Sequence, residues 1–156
     1  MISTPPVARN IMRCMSDQLK LDQQICFQLY TGSRLMQRMY RVYFDQWGIT
    51  YSQYLVLLLL WEKDRQTISE LSDPLDLDSG TLSPLLRRME ANGFITREHE
   101  QSDYRKVVVC LTTRGRRLKT KAKKMNDELN DMLGFDDADL AAVTRVLEKI
   151  NPSAAI

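Results

Sequence analysis

Cysteine is scarce in this chain: Cys14, Cys26 and Cys110 are an odd number at irregular spacing. That excludes a secreted disulfide framework and a zinc site of the C-x₂-C type, and it favours reduced thiols. Histidine is scarcer still, with His99 alone, so neither a metal nor a cofactor is expected. His99 reads either as a phosphate neighbour or as a plain surface residue. Long apolar runs are missing as well. The longest, "YLVLLLLW" from Tyr54 to Trp61, falls far short of the roughly 20 residues that span a bilayer. The first residues, "MISTPPVARNIMRCMSDQ", lack the apolar core and cleavage site of a signal peptide. The expectation is a cytoplasmic chain with no membrane partner.

What is present fits one domain, 1–156, with 44% hydrophobic residues to build its core. The net charge of +2 conceals an asymmetry. Residues 87–124 hold twelve Lys or Arg against four Asp or Glu, a local +8, while the remainder holds ten against sixteen, or −6. Such a basic block suits a surface that faces a polyanion, although a charge run by itself more often marks a solvated face.

Helical spacing runs from Leu21 to Trp47, through Ile25, Leu29, Met36, Met39, Tyr40, Tyr43 and Phe44, and predicts a long helix ended by Gly48. "TYSQ" at 50–53 and "TISE" at 67–70 have the form of capping boxes. The first opens an apolar helix to Trp61, the second a short helix expected to stop before Pro74. In "LDSGTLSPLLRRMEANGF", Asp78 or Ser79 caps, Leu82, Leu85, Leu86 and Met89 form a stripe, and Gly93 is the stop. Pro84 leaves the start of this helix open as far as Ser83. "FITREHE" and "KVVVCLT", separated by "QSDYR", predict a hairpin, and two helices follow over 113–132 and 136–150.

Two short helices and then a hairpin are a winged helix-turn-helix, whose second helix enters the major groove of double-stranded DNA. The composition agrees. Ser79, Thr81 and Ser83 supply small donors at the start of that helix, with Arg87 and Arg88 one turn on. The predicted fold is mainly α with a small β-hairpin wing: a core at about 50–112, flanked by dimerisation helices at about 20–48 and 113–150.

"TYSQYLVLLLLWE", "LDSGTLSPLLRRMEANGFITR", "SDYRKV" and "CFQLY" resemble the MarR family of winged-helix repressors and, within it, the organic hydroperoxide sensors called OhrR. The resemblance covers about Leu21 to Leu118. It implies a homodimer on a pseudo-palindromic operator, with one winged unit per half-site. By position it places the peroxide-sensing cysteine on Cys26 and its two tyrosine partners on Tyr40 and Tyr51. The DNA-contacting segment falls on Asp78, Ser79, Thr81, Ser83, Pro84, Arg87 and Arg88. In the wing it implies Asp103 and Arg105, the arginine entering the minor groove, beside Lys106.

Physical chemistry gives the tyrosines a reason. A thiol attacks peroxide as thiolate, a minor form at neutral pH unless hydrogen bonds favour it, and two phenols supply such bonds. Cys26 and Tyr40 lie too far apart on one helix to touch, so the resemblance implies a tyrosine from a second copy. Some members of the subgroup carry a resolving cysteine in the C-terminal helices; this chain has none there. One-cysteine chemistry with a low-molecular-weight thiol is therefore expected, with Cys14 as a rival and Cys110 as core. Three alternatives stand beside this reading: Cys26 as a buried small hydrophobe, a repressor gated by a small aromatic ligand, and a thiol peroxidase.

Overall fold

The structure, a computed structural model, describes residues 19–99 and 106–150. Cys14, Asp103 and Arg105 lie outside the described residues. The chain gathers into two compact units, Met1–Gln46 and Trp47–Ile156.

In the first unit a short 3-10 turn, Leu21–Gln23, precedes helix α1, Ile25–Trp47. The expected helix from Leu21 is thus interrupted: Gln24 is extended (φ −87°, ψ 113°), and the regular helix starts after it. Gly48 ends α1 in the left-handed region, φ 70°, as its place after the last apolar residue predicts.

In the second unit, helix α2 (Tyr51–Glu62) and helix α3 (Ile68–Leu75) both begin with complete capping boxes, Thr50 with Gln53 and Thr67 with Glu70. Helix α3 passes Pro74 by one residue before Asp76 turns left-handed at φ 49°. The correction has a simple cause. Proline's own φ is helical, and what it forfeits is a single bond to the Glu70 carbonyl at the end of a two-turn helix. Helix α4, Ser79–Ala91, starts at the early limit that Pro84 left open, because the Asp78 side chain caps it by accepting from the Thr81 N–H at 2.9 Å. Pro84 sits inside α4 and removes the bond to the Gly80 carbonyl, at a residue that is exposed.

The wing is β2 (Ile95–His99) paired antiparallel with β3 (Val107–Leu111), Ile95 opposite Leu111 and His99 opposite Val107. A third strand, β1 (Gln66–Thr67), pairs with the other edge of β3 and was not expected from sequence, since two residues carry no alternation to read. Helix α5 (Thr113–Leu133) and helix α6 (Asp137–Ile150) complete the chain. Leu57, Leu60, Leu71, Leu86, Met89 and Phe94 are fully buried and form the core under α2, α3, α4 and the sheet. The architecture is a winged helix-turn-helix, mostly helical with a small three-stranded antiparallel sheet.

Polar groups close the core's edges. Gln66, though buried, donates through Nε2 to the carbonyls of Leu59 and Lys63 at 2.8 and 2.6 Å, and Lys119 donates to the Trp61 carbonyl at 2.9 Å. These carbonyls lie at the C-terminal end of α2, where intrahelical donors run out. The Trp61 indole N–H donates to the Gly115 carbonyl at 2.9 Å, tying α2 to α5.

Candidate nucleic-acid interface and sensor cysteine

Helix α4 presents two faces. Leu82, Leu85, Leu86 and Met89 are buried, which fixes the helix's rotation, while Ser79, Thr81, Arg87 and Arg88 are exposed and Ser83 and Pro84 are half-buried. Ser79, Thr81, Arg87 and Arg88, four of the residues that the sequence reading assigned to DNA, are thus exposed on one helix. Burial of the leucine stripe holds them there at a stabilisation of about 1.5–3 kcal/mol per fully covered side chain.

Both ends of α4 are tightly determined. At the start, Asp78 accepts from the Thr81 N–H and from the Thr81 hydroxyl, each at 2.9 Å. These bonds hold its carboxyl below the usual range. At the finish, the N–H groups of Gly93 and Phe94 reach the carbonyls of Glu90 and Met89 at 2.8 and 3.0 Å, with Gly93 at φ 73°. This is the six-to-one closure that favours glycine.

Sequence reasoning missed the link between α4 and the wing. The Glu90 carboxylate accepts from the Arg97 backbone N–H at 3.0 Å and from its guanidinium at 2.8 and 2.6 Å. A carboxylate in the last turn of a helix opposes the helix dipole, and Arg97 is the compensating charge. The pair holds the Glu90 carboxyl below its ordinary value. It fastens β2, and with it the root of the wing, to the recognition helix. The only sequence signal was the misplaced acid itself.

A second missed node braces the sheet from the other side. Asp64 accepts from the backbone N–H groups of Arg65 and Leu111, both at 2.9 Å, and from the Arg116 guanidinium at 2.7 Å. Those donors outweigh burial and lower its pKa. Arg65 turns left-handed at φ 62° and reaches Glu98 and the Cys110 sulfur, both at 3.4 Å. Cys110 is buried, as expected of core, and burial pushes its thiol up despite that guanidinium. Burial thus disfavours its thiolate form. Lys106 is exposed just ahead of β3, and His99 is exposed at the end of β2.

The sensor candidates divide between the two units. Cys26 is the second residue of α1 and is exposed, so within this chain it is not core filler. Tyr40, further along α1, is half-buried and stacks on Phe44 with ring centroids 5.4 Å apart. Fourteen residues of helix separate Cys26 from Tyr40, a rise of about 21 Å, and the two do not meet on that helix. Tyr51 opens α2 in the second unit and is half-buried. Among the described residues, no group of His, Cys, Asp and Glu could hold a metal ion, and no helix is long and apolar enough to cross a membrane.

The fold and the exposed face of α4 define a winged-helix DNA-binding regulator, and comparison with known proteins makes the class specific. The profile of the MarR family matches residues 49–107. The chain is 49% identical over 106 residues to the organic hydroperoxide resistance transcriptional regulator of Bacillus subtilis, covering 68% of this chain and 72% of that one. It is 34% identical over 137 residues to the HTH-type transcriptional regulator MgrA of Staphylococcus aureus, covering 87% and 93%. In structure it is similar to overoxidized AbfR bound to DNA, at a TM-score of 0.75 and 34% identity, covering 91% of this chain and 95% of that one. AbfR comes from Staphylococcus epidermidis and has also been solved in a disulfide form. The chain belongs to the MarR family of transcriptional regulators.

Proposed function

We propose that this regulator is a homodimeric repressor that holds a pseudo-palindromic operator and lets go when organic hydroperoxide oxidises Cys26. The observation that carries the reading is the exposure of Cys26 at the first turn of a helix whose apolar residues Ile25, Tyr30, Leu35 and Val42 are also uncovered. A thiol beside uncovered apolar surface meets apolar peroxides readily and becomes enclosed when a second copy covers that surface. The similarity to an organic hydroperoxide resistance regulator, and to a protein solved in overoxidized and disulfide forms, supports the same chemistry.

The Cys26 thiolate attacks the outer oxygen of the hydroperoxide. An S–O bond forms as the O–O bond breaks, and the alkoxide leaves and takes up a proton as alcohol. The sulfenic acid then condenses with a low-molecular-weight thiol, expelling water and forming a disulfide. Hydrogen bonds from Tyr51 and from Tyr40 of the partner subunit favour the anionic sulfur before the attack. The added bulk disturbs a close-packed interface and rotates the winged units out of register with half-sites one DNA turn apart. On the DNA, Asp78, Ser79, Thr81, Ser83, Pro84, Arg87 and Arg88 face the major groove. Asp103, Arg105 and Lys106 of the wing reach the flanking backbone and minor groove. The whole chain acts as one domain in this scheme.

A gel-shift titration on the promoter of the protein's own gene tests it, comparing wild type with Cys26→Ser, with and without cumene hydroperoxide and a small thiol. Wild type is expected to bind and to release on oxidation while Cys26→Ser stays bound. Release of the mutant to the same extent would overturn the mechanism.

A further inference from the structure

The start of α4 contains a hydrogen bond whose direction is forced. The Thr81 hydroxyl lies 2.9 Å from one Asp78 carboxylate oxygen, while the other accepts the Thr81 backbone N–H at 2.9 Å. A carboxylate has only lone pairs to offer, and an aspartate is ionised at neutral pH, the form that these two bonds favour further. The shared proton is therefore Thr81's. A hydroxyl has one proton and two lone pairs, so once the proton is committed Thr81 shows its surroundings an acceptor. Ser79, two residues earlier and also exposed, has no such bond among the described residues and keeps its proton free to donate.

We propose that Thr81 reads an exocyclic amino group, adenine N6 or cytosine N4, in the major groove, and that Asp78 is the positioning residue that sets this polarity. The inference rests on α4 being the recognition helix. The chemistry of the groove makes it selective, because those two amino groups are the only donors on its base edges. Guanine O6 and N7, adenine N7, thymine O4 and every phosphate oxygen are acceptors, and each would meet Thr81 lone pair against lone pair. Thr81 is thereby assigned to base reading, and the backbone contacts are left to Ser79, Arg87 and Arg88.

The test uses the full chain and a duplex selected by affinity from a random-sequence library. In that duplex each adenine is replaced singly by purine deoxyriboside and each cytosine by 2-pyrimidinone deoxyriboside, changes that delete the amino group. Binding is measured for wild type, Thr81→Val and Asp78→Ser. One base pair per half-site is expected at which the deletion weakens wild type about fivefold and leaves Thr81→Val unaffected. Asp78→Ser still caps the helix through its single oxygen but frees the Thr81 proton, and should lose the preference for an amino-bearing base at that same pair. The proposal is overturned if Thr81→Val instead loses sensitivity to a 7-deazaguanine or to a methylphosphonate linkage, or if no amino deletion distinguishes it from wild type. A library that yields no preferred sequence overturns the reading of α4 itself, and the polarity proposal with it.

Discussion

Helices α4 and α6 are nearly equal in length, thirteen and fourteen residues, and carry four and five large apolar side chains at threes and fours. In α4 those side chains, Leu82, Leu85, Leu86 and Met89, are all buried. In α6, Leu140, Val143, Leu147 and Ile150 are exposed and Val146 is half-buried, so none is fully covered. Apolar periodicity thus specifies a helix with a face to cover, and does not specify what covers it. Helix α4 finds its cover in the same chain, which fixes the rotation that a DNA-reading surface needs. Helix α6, like much of α1, keeps an apolar face uncovered among the described residues, and in the proposed repressor a second copy covers it.

The sharpest way to break this comparison is to charge the uncovered face. Leu140→Asp with Leu147→Asp is expected to leave the helical content unchanged and to convert the dimer to a monomer in sedimentation. Operator affinity should fall by about 100-fold or more, since each winged unit would then hold its half-site without the other. A variant that remains dimeric with full affinity would show that α6 is not part of the pairing surface.

A smaller effect separates the two regions through their glycines. A Cβ on Gly115 would lie 2.2 Å from the Phe94 carbonyl oxygen and 3.0 Å from a Leu111 methyl, so backbone must shift to accept it. Gly115→Ala is expected to cost roughly 2–3 kcal/mol in urea unfolding. Gly32, inside α1, has nothing within 4 Å of the same position. Gly32→Ala should stabilise by about 0.5–1 kcal/mol through helix propensity. Equal effects at the two sites would contradict the contrast between a closed and an open region.

Those glycines also mark the limit of what was legible. Most local signals came through, the capping boxes at Thr50 and Thr67, the Asp78 cap, the Gly93 stop and the apolar stripe of α4, while the stop expected before Pro74 did not. The two β-prone runs that pair as the wing came through as well. Features created by meetings between distant segments did not. Gly115 looks like any glycine in the first turn of a helix until Phe94 is folded against it, 21 residues away in the chain. The Glu90–Arg97 clasp and the Asp64 node are ordinary charges in sequence, and strand β1 exists because β3 offers it an edge. The proposed sensor is the extreme case. Its three residues lie on two helices in two units, and resemblance, not spacing, nominated them together.

The smallest expected effect tests whether the closed region depends on its helix ends as well as on burial. Glu70 completes the cap of α3, accepting from the Thr67 N–H and hydroxyl at 2.8 and 2.9 Å and from Lys63 at 2.8 Å. The Lys63 bond leads the causes that take its carboxyl from 4.5 down to about 2. A carboxyl depressed by folding stabilises fully above its unfolded value, and that contribution is lost as pH falls from about 4.5 toward 2. Gln at this position still accepts from the Thr67 N–H but has no charge for Lys63, and it does not titrate. In thermal melts, Glu70→Gln should therefore lie slightly below wild type at pH 7 and converge with it near pH 2, with a shallower slope between. Parallel curves across that window would mean that the charge on the cap adds nothing, and that burial of Leu71 alone holds α3 against the core.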